Sequence, residues 1–74
     1  MKFLERLAQN APLFTRSQQA IAAFMQNNVE AIAFSTLETL SRQIGVSTTT
    51  VIRFSRAIGY SGFSDMQTAV QNEI

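Results

Sequence analysis

The sequence predicts an all-α fold: a compact domain of five helices containing a homeodomain-like helix-turn-helix, with no wing. Three observations predict it. Apolar residues recur at spacings of three and four, and no sustained alternation of apolar and polar residues marks a strand. Capping residues (Ser, Thr) stand just ahead of the apolar stripes. The segment 36–59, TLETLSRQIGVSTTTVIRFSRAIG, reads as helix, glycine turn, helix.

The first expected helix covers residues 2–9, with Phe3, Leu4 and Leu7 on one stripe. It should stop before Pro12, because the residue preceding a proline disfavours the α conformation. Thr15 then offers an N-cap oxygen and Gln18 completes a capping box, opening a helix over 16–27. Its stripe is Ile21, Phe24 and Met25, with Ala20, Ala22 and Ala23 permitting close packing. Asn27-Asn28 is expected to end it through the left-handed conformation that Asn tolerates. Residues 29–33 can form one more helical turn. Ser35, with Glu38 as its partner, is expected to cap the helix over 36–44, and Gly45 to provide the positive φ that leaves it. Ser47 caps the helix over 48–58, which Gly59 ends at its C′ position. Ser61 is expected to cap a last helix over 62–73, whose inward stripe is Phe63, Met66 and Val70.

Composition narrows the function. Seventy-four residues make one small domain, and a chain of this size hides only about 60% of its unfolded surface. With no Cys and no His, the chain lacks a disulfide framework, a thiolate metal site and the commonest general base. It also lacks paired carboxylates, so no catalytic constellation can be assembled and no cofactor is expected. No apolar run approaches the roughly 20 residues that cross a bilayer, and residues 1–12 do not read as a secretory signal, so a cytoplasmic location is expected. The net charge of +1 is only weakly basic. Its distribution is more informative: Glu5, Glu30, Glu38, Asp65 and Glu73 all lie outside the window 39–64, which holds Arg42, Arg53 and Arg56. A local basic face can attract phosphate on a nearly neutral protein.

Spacing turns the central segment into a specific expectation. Leu40 and Ile44 lie one turn apart, Val46 is the apolar residue of the turn, and Val51, Phe54 and Ile58 form the stripe of the following helix. These residues can meet in one small core that holds the two helices at the steep angle of a helix-turn-helix. Ser41 stands where the helices approach closely and a small residue is needed. The buried stripe leaves Thr48, Thr49, Ile52, Arg53 and Arg56 on the other side of the second helix. In this motif the N-terminal residues of that helix reach base edges in the major groove of DNA. Thr48, Thr49 and Arg53 are therefore candidate base contacts, the arginine suited to guanine O6 and N7. Ser47, Thr50, Arg56 and Arg42 are candidate phosphate contacts. The first turn, Thr-Thr-Thr, contains poor helix formers and no acid. An acid there would stabilise the helix but repel phosphate. Each feature alone has a plain alternative, such as a solvated first turn or ordinary surface arginines. Their coincidence in one segment points to DNA. The competing use, a helix-turn-helix serving as a protein-interaction or dimerisation module, requires an apolar outer face on the second helix, and only Ile52 fits. The stripe of Phe3, Leu4 and Leu7 is either core or a dimer seam, and the seam is the expectation adopted.

Several stretches resemble the N-terminal domain of the RpiR family of bacterial sugar-metabolism regulators. They are Thr15-x-x-Gln-x-x-Ile21-Ala22, Ser35-x-x-x-x-Leu40, Gly45-Val46-Ser47, Thr50-Val51-Ile52-Arg53-Phe54 and, most specific, Ile58-Gly59-Tyr60-Ser61-Gly62-Phe63, which is similar to the family's Leu-Gly-Phe-x-Gly-Phe run. Thr48 stands where many relatives carry Glu or another polar residue, a departure that bears on operator sequence. The resemblance implies a DNA-binding domain working as a homodimer on a palindromic double-stranded operator. It also implies that residues 1–74 are the N-terminal domain of a longer regulator, followed by a sugar-isomerase-type domain that binds a phosphorylated sugar effector.

Overall fold

A computed structural model describes all residues, 1–74, and contains six helices rather than five. They are α1 (Lys2–Asn10), α2 (Arg16–Asn27), α3 (Val29–Phe34), α4 (Leu37–Ile44), α5 (Thr48–Ala57) and α6 (Phe63–Glu73), with a 3-10 turn at Ala11–Leu13 between the first two. No strand is present.

The ends of the helices show why the chain divides where it does. Ala11, although it precedes Pro12, keeps helical dihedrals (φ −54°, ψ −40°), so the pre-proline restriction is not what stops α1. Pro12 has no N–H to continue the ladder, and the chain tightens into the 3-10 turn. Thr15 and Gln18 form the expected capping box at the start of α2. The other end departs from expectation. Asn28 is not left-handed (φ −139°); instead the amides of Asn27 and Asn28 donate to the carbonyls of Ala23 and Phe24, the latter a carbonyl that lacks a helical partner.

The expected single turn after Asn28 is a complete short helix, α3. The α6 amides hold its C-terminal end: Gln67 donates to the Ile32 and Ser35 carbonyls at 3.1 and 2.7 Å, and Gln71 to Ala33 at 2.7 Å. Ser35 therefore closes α3 and does not cap α4. Thr36 is the cap, its hydroxyl accepting from the Thr39 N–H at 3.1 Å, and Glu38 is not its partner. At α6 the N-cap is Gly62, not Ser61; Ser61 donates its backbone N–H to the Asp65 carboxylate at 3.0 Å.

One core serves all six helices. α1 contributes Phe3 and Leu7, α2 Ile21 and Met25, α3 Ile32 and Ala33, α4 Leu40, α5 Val51 and Phe54, and α6 Met66 and Val70, with Ile58 and Tyr60 closing the α5–α6 link. The Cα radius of gyration is 10.8 Å, close to the roughly 11 Å expected of a folded chain of this length. This core closes within a single chain. It overturns the expectation of a Phe3, Leu4, Leu7 dimer seam at two of its three positions. Phe3 is wholly buried and Leu7 nearly so, because α1 lies across α2 and α6 with that stripe inward. Leu4 alone is part-exposed, on the wall of a shallow apolar groove of about 240 Å³ between α1 and α2.

Candidate nucleic-acid interface

α4 and α5 form the helix-turn-helix, and its geometry follows from a few residues. Gly45 adopts φ 89°, ψ 31°, a left-handed conformation that costs a glycine little. This lets both the Gly45 and Val46 N–H groups reach the Ser41 carbonyl, at 2.8 and 3.0 Å. Behind the turn Leu40, Val51, Phe54 and Ile58 are buried, while Ile44 and Val46 are part-buried against them. Phe14, from the link before α2, packs its ring 5.3 Å from that of Phe54. Ser41 is buried as the close approach requires, and its hydroxyl donates to the Leu37 carbonyl at 2.7 Å.

With that face inward, the opposite face of α5 is set. Ser47, Thr48, Thr49 and Thr50 cluster at its N-terminal end, and Arg53 and Arg56 project exposed from the turns that follow. Arg42 is exposed on the last turn of α4. Of the expected contacts, Thr49, Arg53 and Arg56 share the exposed face of α5, Thr48 and Thr50 stand part-buried at its flanks, Ser47 is the exposed N-cap and Arg42 is exposed on α4; no acid stands in the first turn of α5. The outer face carries no apolar patch: Ile52 is part-buried.

Hydrogen bonds divide these residues into free and committed groups. The Ser47 hydroxyl accepts from the Thr50 N–H at 3.1 Å and lies 2.9 Å from the Thr50 hydroxyl. Both side chains therefore hold the cap before any ligand arrives, and what they offer a phosphate is chiefly a fixed helix end. The N–H groups of Thr48 and Thr49, unlike the capped Thr50 N–H, have no intrahelical partner and point outward along the helix axis. The Arg42 guanidinium reaches the Thr39 hydroxyl at 3.4 Å, and Arg56 donates its Nε to the Ser61 carbonyl at 3.2 Å.

The far end of α5 is locked by groups that periodicity alone does not reveal. Gly59 (φ 99°) and Tyr60 bond back to the carbonyls of Arg56 and Ser55, both at 3.0 Å, the paired closure expected after a C′ glycine. Arg6 of α1 donates to the Gly59 carbonyl at 3.1 Å and sits 4.3 Å above the Tyr60 ring. Burial pushes the Tyr60 hydroxyl above its ordinary pKa, and the nearby Arg6 charge partly opposes that rise.

Two similarities to known proteins accompany this geometry. Residues 1–74 match the family model described as "Helix-turn-helix domain, rpiR family". Among solved structures, the chain is similar to the Vibrio vulnificus NanR protein complexed with ManNAc-6P, at 31% identity and a TM-score of 0.89. That match covers 96% of this chain and 27% of the NanR chain. The present sequence thus spans about a quarter of that protein's length. No helix is long and apolar enough to cross a membrane.

Proposed function

The chain belongs to the rpiR family of helix-turn-helix domains, and on that premise we propose that it binds a specific DNA operator by laying α5 in the major groove. The observation that carries this reading is the outer face of α5. A capped, acid-free first turn presents Thr49, with part-buried Thr48 beside it, and Arg53 follows four residues after Thr49, about one turn later and on the same side, opposite the buried stripe. Thr48, Thr49 and Arg53 read bases; Ser47, Thr50, Arg56 and Arg42 face phosphates. The role is one of binding, not catalysis.

The whole regulator is a wider proposal. It acts in the bacterial cytoplasm, as a homodimer on a two-fold operator, since operator symmetry mirrors that of the protein. Because the similar NanR protein is complexed with ManNAc-6P, we place its control in amino-sugar phosphate metabolism, with the effector bound by a second domain.

The test is a titration of the domain against operator-containing and scrambled duplexes over a salt series. Each phosphate contact adds roughly 0.9 to the log–log slope. A weak, sequence-blind response at every salt concentration would reject the reading. Arg53→Ala is expected to cost about 1–3 kcal/mol and to relax preference at one base pair. An equal loss on all sequences would reassign Arg53 to the backbone.

A further inference from the structure

Arg56 is exposed, yet one of its nitrogens is not free. Its Nε donates to the Ser61 carbonyl at 3.2 Å, and the N–H of the same Ser61 donates to Asp65 Oδ2 at 3.0 Å. Asp65 stands in the first turn of α6, where a carboxylate is favoured by the helix dipole. A carboxylate on α6, a residue in the link and a guanidinium on α5 are thus joined in one line.

We propose that Asp65 is a positioning residue for DNA binding: it fixes Ser61, and Ser61 holds Arg56 by Nε so that the two terminal amino groups face a DNA phosphate. This rests on the reading of α5 as the DNA-binding helix. Arginine alone fits the position. Lysine has one ammonium and cannot be anchored at one nitrogen while presenting a forked pair of donors with another. Anchoring also removes rotamer freedom that an untethered arginine would lose on binding.

The sign of the effect separates this role from simple electrostatics. A carboxylate near the DNA-facing side repels phosphate, so its removal should tighten binding if charge is all that matters. Positioning predicts the opposite for a variant that deletes the acceptor. Asp65→Ala should weaken binding by about three- to eightfold near 0.1 M salt, the upper value being one lost phosphate contact, and should lower the salt slope by up to about 0.9. Asp65→Asn, which drops the charge but keeps an acceptor for the Ser61 N–H, should bind at least as tightly as the unsubstituted chain. In an Arg56→Ala background the loss from Asp65→Ala should disappear.

Equal or tighter binding by Asp65→Ala would overturn the proposal, and so would the same loss with Arg56 absent. A second measurement needs neither DNA nor substitution. In the free domain the Arg56 Nε–H should show slower solvent exchange and less side-chain motion by NMR than that of Arg53. Equal mobility of the two overturns the anchoring. An anchored Arg56 in a domain that binds no duplex would instead reject the DNA reading and with it the phosphate contact.

Discussion

At the scale of single residues, Tyr60 joins α5 to the rest of the core. Its ring is nearly buried, stacks on Phe3 at 6.4 Å and lies under the Arg6 guanidinium. Burial raises its pKa above the ordinary value, so the folded state holds the proton more tightly than the unfolded chain does. The contribution of the neutral phenol is fully present below the unfolded pKa of about 10 and is lost as pH rises from there through the folded value. Chemical denaturation between about pH 8 and 11 should show stability falling at the alkaline end, with Tyr60→Phe flattening that fall. A decline of the same size in Tyr60→Phe would assign it to other groups. Phe63 is readable from the sequence as part of the inward stripe of the last helix. Arg6 is not, because it lies 53 residues from the carbonyl it binds and no periodicity links the two.

At the scale of elements, the same contrast between local and distant causes separates what was legible from what was not. α2, α4 and α5 announce themselves by nearby residues: Thr15 with Gln18, Gly45 with its turn, Ser47 with Thr50. α3 does not. A six-residue helix has little stability of its own, and the groups that complete it, Gln67 and Gln71, come from α6. The two left-handed glycines give a test that distinguishes a local cost from a tertiary one. A Cβ at Gly45 meets open space, so Gly45→Ala bears only the left-handed penalty of about 1–2 kcal/mol. A Cβ at Gly59 would in addition lie 3.2 Å from Arg6 Nη1. Gly59→Ala is therefore expected to lose somewhat more, since the guanidinium must give by a few tenths of an ångström in its contacts with the Gly59 carbonyl and the Tyr60 face. Thermal melts of both variants, repeated with Arg6→Ala, should show that excess vanishing; an excess that persists would place its cause outside this contact.

At the scale of the whole molecule, α1 is an integral wall of the domain. The Glu73 carboxylate, at the end of α6, accepts from the Phe3 N–H at 3.1 and 3.2 Å, so the first and last helices are tied together. The apolar stripe of α1 was visible in the sequence, but its partner was not: a core and a dimer seam need the same spacing, and only the position of α2 and α6 decides between them. The consequence is measurable at two leucines of like chemistry. Leu7 is 6% exposed and Leu13 is 82% exposed. Leu7→Asp puts a carboxylate into an apolar core with no cation to pair it, at a cost of several kcal/mol. A domain of this length has a total stability of only about 4–11 kcal/mol. Leu7→Asp should therefore lose most of its helical circular dichroism and unfold, rather than remain as a folded monomer. Leu13→Asp should melt within about 0.5 kcal/mol of the unsubstituted chain. Sedimentation of Leu13→Asp then tests the remaining apolar surface beside the α1–α2 groove: a shift from dimer to monomer with the fold intact would place the proposed homodimer contact there. A folded, monomeric Leu7→Asp would show instead that α1 meets a second copy, and would return its stripe to the role of seam.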